Sequence, residues 1–226
     1  MSESTLGVEN AAAAFAPRQA LAAQLLRALD DNGADGSHDL SHILRVWRNA
    51  EHIAASEPGC DLDLLVAAVI LHDCVAVEKN SPQRAKASAL AAARAREIVA
   101  PLDWSAERTD GLAHAIEAHS FSAAIKPVTR EARVLQDADR LDAIGAIGVA
   151  RCFYIAGRMG SSLYEPADPL ARHRDRDDRR YALDHFETKL FRLNEGFQTD
   201  GGRALAAERD ATMRRFVDAL IDEIGA

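Results

Sequence analysis

Apolar residues recur along this chain with the spacing of helices, and the alternation of a half-buried strand is nearly absent. A first helix is expected over about 18–31, with the Ala-rich start of the chain as its lead-in, ending at the turn-rich "DNGADG". A second begins near 37, where Ile43, Val46, Ala50, Ile53 and Ala54 form an amphipathic stripe, and stops before "EPG". A third covers about 61–75. "KNSP" interrupts it, and Ser81 followed by Pro82 reads as the N-cap and first position of a helix reaching about 100. The next runs over about 105–119, with "SAER" as a capping box. "REARVLQDADRLDAIGAIGVARCFYIAG" reads as one long central helix, kinked at Gly145 or Gly148. Residues 157–178 read as a long irregular loop, and helices over about 181–194 and 202–224 close the chain. The expected fold class is all-α, a single domain: a lead-in helix over 1–35, a core over 36–160, and a loop with C-terminal helices over 161–226 packed on that core.

The third helix carries the first chemical question. Eight consecutive apolar residues, Leu64 to Leu71, run straight into His72 and Asp73. A segment so apolar is bound for the interior, where an imidazole and a carboxylate need partners. Two readings follow: Asp73 caps a neighbouring helix or pairs with an arginine while His72 bonds a carbonyl, or both converge on a cation. His38, His42 and Arg45 lie one turn apart at the start of the second helix, with His42 at the edge of its apolar stripe. Asp137, Asp139 and Asp142 sit in an otherwise apolar stretch, where three carboxylates repel unless positive charge intervenes, from Arg140 or from a divalent metal. Imidazole and carboxylate donors suit zinc, manganese, iron, nickel or cobalt, and Cys74 is expected to be a small buried residue rather than a ligand.

Composition narrows the field. A net charge of −8 argues against binding a nucleic-acid polymer, while leaving small anionic substrates open to a local basic pocket. Three cysteines without CxxC spacing fit a reducing, cytoplasmic setting. The apolar runs are too short for a membrane span, and the N-terminus lacks the basic start of a signal peptide.

A lone histidine, an adjacent His-Asp pair and a distant aspartate, here His42, His72, Asp73 and Asp139, resemble the H…HD…D signature of the HD-domain superfamily of metal-dependent phosphohydrolases. The flanks "SHDLSHILRV", "LHD", "EAHSFS", "LQDADRLDAIGAIGVAR" and "HFETKLFRL" extend the resemblance over about 36–224, to a subfamily of small bacterial HD proteins. The resemblance implies a helical HD-domain fold in which those four residues coordinate one divalent metal: manganese, nickel, cobalt, zinc, iron or magnesium. It further implies hydrolysis of a phosphate ester or phosphoanhydride of a small phosphorylated metabolite, most plausibly a nucleotide. Asp73 would orient the attacking water, and Glu78 would act as general acid or base, although the carboxylate some members place three residues after the aspartate is Ala76 here. Arg45, Lys79, Arg84, His119 and His38 would contact phosphate, and His114 with His119 are the positions for a second metal. Two alternatives stand beside this: a non-catalytic metal- or ligand-binding module, and a dinuclear-iron oxygenase.

Overall fold

The computed structural model describes residues 3–29, 40–75, 77, 86–120 and 123–225. Its α-helices are α1 (Glu3–Ala12), α2 (Gln19–Arg27), α3 (Leu40–Ala54), α4 (Leu62–Leu71), α5 (Ala87–Val99), α6 (Ala106–His119), α7 (Arg130–Asp142), α8 (Gly145–Met159) and α9 (Asp200–Ile224). Among the described residues the one β-type pairing is an isolated bridge between Ser162 and Tyr181. The fold is therefore all-α, as the periodicity required. No described helix is long and apolar enough to cross a membrane. The starts expected at 37 and at Pro82 lie outside the described residues.

The chain divides into two compact units, Met1–Asp139 and Arg140–Ala226. In the first unit α4 is the central element. All eight residues from Leu64 to Leu71 are buried, and the helix packs against α2, α3, α5 and α6. Burying each large side chain contributes about 1.5–3 kcal/mol, so a charge at Val69, which is fully enclosed, would undo the packing. Asp61 starts α4 by accepting the N–H groups of Asp63 and Leu64, both at 3.1 Å. The Arg108 guanidinium donates to the same carboxylate at 2.6 Å. Burial opposes ionisation of Asp61, but these donors outweigh it and hold the group below the usual carboxylate range. The stripe expected on α3 is its buried face, where Trp47 stacks on Phe15 with ring centroids 5.1 Å apart.

Three expectations change in the stretch from α1 to α8. The N-terminal stretch is a helix of its own, α1, packed on α2, because Val8, Ala11 and Ala12 give it a buried side. Ser105 does cap α6, accepting the Arg108 N–H at 3.2 Å, but the third helical position is Arg108, so the reciprocal half of a capping box is missing. The long central helix is two. Gly145 has φ +73°, outside the helical region, and a Cβ there would lie 2.9 Å from the Arg209 side chain; the chain turns at this point and starts again as α8.

In the second unit α8 packs against α9, and Phe153, Phe186, Phe191 and Phe216 form a ring cluster with centroids 5.7–6.1 Å apart. The helix expected over 181–194 is a π-type turn, Phe186–Leu190, followed by a 3-10 turn, Phe191–Asn194. Asp184 draws the chain away from regular helix here: it accepts from Arg174 at 2.5 and 2.8 Å and from the Asp177 N–H at 2.7 Å. The same bonds tie down much of the loop expected over 157–178.

Candidate metal centre

Four helix ends of the first unit meet at one point. His42 stands in the first turn of α3, His72 and Asp73 follow the last turn of α4, His119 ends α6, and Asp139 lies in the last turn of α7. The His42 and His72 Nε2 atoms are 3.2 Å apart. Asp139 Oδ1 lies 3.5 Å from His42 Nε2 and 3.8 Å from His72 Nε2. Asp73 faces both ways: Oδ2 is 3.6 Å from His72 Nε2, and Oδ1 is 3.6 Å from His119 Nε2. Two sets of three donor atoms, His42–His72–Asp139 and His72–Asp73–His119, each fit within 4.8 Å.

The apolar run sets this geometry. It carries His72 so far inside that the residue is 1% exposed, and His42 is 3% exposed. His72 Nδ1 donates to the Val69 carbonyl at 2.8 Å, and His119 Nδ1 to the Ile116 carbonyl at 2.5 Å. The Val69 bond fixes the tautomer of a neutral His72, so that its Nε2 lone pair points into the cluster. Burial pushes the His72 pKa down against the pull of Asp73 and Asp139, which favours the neutral ring. For His119 burial also pushes down, but the hydrogen bond it donates to Asp73 and the charges of Asp139 and Asp73 outweigh it and the pKa is raised.

His42 Nε2, His72 Nε2 and the carboxylate oxygens of Asp73 and Asp139 are all atoms that can ligate a metal ion, and they converge. The donor set therefore fits a divalent cation: ligands about 2.1 Å from a shared ion are separated from one another by about 3.0–3.5 Å, close to the spacings here. The carbonyl bond of the alternative reading is present, from His72 to Val69; it orients the ring and leaves its other nitrogen facing the cluster.

The remaining residues singled out in the sequence separate. His114 accepts the Val128 N–H at 3.0 Å and belongs to neither donor set, so the two-histidine pair expected with His119 does not form. Five residues apart on a helix is about 140° around its axis, which sends the two rings in different directions. Arg45 is half-buried on α3 and donates to Ser41 Oγ at 2.8 Å. Asp142 faces Arg151 at 3.3 Å, and Asp137 is wholly buried. Arg140 donates to the carbonyls of Glu195 and Gly196 at 3.2 and 2.9 Å. Cys74 is half-buried rather than buried, its thiol pushed up to about 12 by burial. His38, Glu78, Lys79 and Arg84 lie outside the described residues.

Comparison with known proteins places this geometry. Residues 39–144 match the HD domain family. The Bacillus subtilis protein YpgQ is 34% identical over 191 residues, spanning 83% of this chain and 84% of its own length. The crystal structure of an HD-superfamily hydrolase from Bacillus thuringiensis is similar with a TM-score of 0.71 and 27% identity, over 92% of this chain and 98% of that one. That of YpgQ in complex with ADP is similar with a TM-score of 0.67 and 31% identity, over 92% and 98%. With the match beginning just before α3 and ending just after α7, the span that supplies every residue of the cluster, the chain belongs to the HD-domain family.

Proposed function

We propose that this chain is a metal-dependent phosphohydrolase that cleaves a phosphate ester or phosphoanhydride bond of a small phosphorylated metabolite, a nucleotide foremost. The observation that carries the reading is the convergence of His42, His72 and Asp139, and of His72, Asp73 and His119, at spacings that suit ligands of a divalent cation. The likeness to an HD-superfamily hydrolase supports hydrolysis, and the ADP complex of YpgQ supports a nucleotide.

His42, His72, Asp73 and Asp139 would hold one divalent ion. When bound, such an ion supplies Lewis-acid polarisation of a phosphoryl oxygen and acidifies a water molecule. The chain's own residues do the rest. The Val69 carbonyl fixes the His72 ring, and the burial of His42 and His72 keeps bulk water from both nitrogens. Asp73 and Asp139, about one-third exposed, form the open side through which substrate and water enter. Asp73, with one oxygen toward His72 and the other toward His119, is placed to orient the attacking water. Arg45, Lys79, Arg84, His38 and His119 are proposed to take the phosphate oxygens, and Glu78 to carry a proton.

The test is a screen of nucleoside mono-, di- and triphosphates and sugar phosphates with manganese or cobalt, run on wild type and Asp139→Ala. Release of phosphate or pyrophosphate by wild type and none by the variant is expected. Metal binding without cleavage of any phosphorylated compound would overturn the hydrolase reading in favour of a binding module, and two irons per chain would favour the oxygenase.

A further inference from the structure

Two buried carboxamides lie on the helices that carry the cluster. Asn49, on α3, donates through Nδ2 to the Ala138 carbonyl at 3.0 Å. Gln136, on α7, donates through Nε2 to the Ala118 carbonyl at 2.7 Å. Both side chains are almost wholly buried. The two acceptors share one property: each is the carbonyl immediately before a cluster residue, Ala138 before Asp139 and Ala118 before His119. We infer that Asn49 and Gln136 are positioning residues that fix the backbone of Asp139 and His119, and so set the separation of the donor atoms that receive the cation; this rests on the metal reading above.

The mechanism follows from the peptide bond. The carbonyl oxygen of one residue and the Cα of the next lie in one rigid plane, so holding the Ala138 oxygen holds the Asp139 Cα, and holding the Ala118 oxygen holds the His119 Cα. Asn49 is seven residues, two helical turns, beyond His42, so ligand and clamp share one face of α3. That face therefore delivers His42 and anchors the helix bearing Asp139. Gln136 ties the same helix to the end of α6, where the Ala118 carbonyl lacks an intrahelical partner. Asp139 is thus held from two sides through α7, while its own carboxylate stays about one-third exposed and ready for a ligand. Helix packing alone would leave α7 free to slide by a fraction of an ångström, enough to spoil a coordination shell.

The experiment measures metal rather than turnover. Cobalt(II) is titrated into wild type, Asn49→Leu, Asn49→Ser and Gln136→Met, with visible absorption reporting coordination geometry and calorimetry the affinity. Urea midpoints of the cation-free proteins separate folding from binding. Ile53→Val, a buried change one turn along α3 from Asn49, is the control. The cobalt dissociation constant is expected to rise about tenfold or more in each carboxamide variant, with an altered absorption band, while Ile53→Val lowers the urea midpoint and moves neither. Serine at 49 keeps a hydroxyl but cannot span the distance, so it reports even if leucine prevents folding. Carboxamide variants that bind cobalt as tightly as wild type, with the same band, overturn the clamp and leave the metal centre intact. A wild type that binds no cobalt overturns both.

Discussion

Two places in this molecule bury ionisable groups, and they do so in opposite ways. Around Asp184, 3% exposed, every charge is answered by the chain: Arg174 supplies a two-pronged donor and Asp177 a backbone N–H. Around His42 and His72 two ring nitrogens lie 3.2 Å apart with two carboxylates alongside. The first arrangement pairs opposite charges within the chain and holds a loop. The second gathers atoms that could hold a metal ion. Burial of charge does not by itself mark a functional site; the mark here is several ligand-type atoms from distant helices converging on one point.

The sharpest way to break this comparison is to remove a carboxylate from the second site. Asp139→Ala is expected to weaken divalent-cation binding by more than about a hundredfold, since ligand loss exceeds the effect of lost outer partners, and to abolish hydrolysis. Circular dichroism should retain its helical amplitude; unchanged metal content in the purified variant would contradict the assignment. The matching change at the first site has the opposite profile. Asp184→Ala removes the carboxylate that half-buried Arg174 and the Asp177 N–H share, and should cost about 3 kcal/mol in urea unfolding, with metal affinity unchanged.

Cation addition extends the contrast. Wild type in divalent ion at one hundred times its dissociation constant should gain about 2.7 kcal/mol, a gain that chelation removes and that Asp139→Ala lacks. Acid separates the sites further. Burial opposes ionisation of Asp184, but the Arg174 hydrogen bond, the Asp177 N–H and the nearby guanidinium charges prevail and lower its pKa below the usual 3.8. A carboxylate depressed on folding contributes stability that is fully present above its unfolded value and lost as pH falls through its folded one. Stability from this pair should therefore fade below about pH 4 in acid unfolding of the cation-free protein, and Asp184→Asn should flatten that limb. The smallest effect is expected at His114. Its replacement by alanine removes one acceptor for the Val128 N–H, about 1 kcal/mol, with no change in metal stoichiometry; a drop in bound metal would restore His114 to the site.

What the sequence determined by itself is what short-range order can encode. Helical periodicity gave the class of fold, and the unbroken run from Leu64 to Leu71 gave both the innermost helix and the fact that His72 would arrive there, because eight apolar residues can be satisfied only inside. Likewise the spacing of His42, His72, Asp73 and Asp139 was visible as a pattern. Tertiary structure alone decided which polar groups meet. Three aspartates on α7 read alike in sequence, yet one reaches the cluster, one faces Arg151 and one is buried elsewhere on the helix, since 100° per residue turns each toward a different neighbour. His119 and His114 parted for the same reason. Asn49 and Gln136 carried no signal beyond being polar at buried positions, and the break at Gly145 emerged only once its positive φ and the adjacent Arg209 were visible. Periodicity states which side of a helix is buried; the identity of the group across from it depends on how distant segments pack, and that information resides in contacts between residues far apart in the chain.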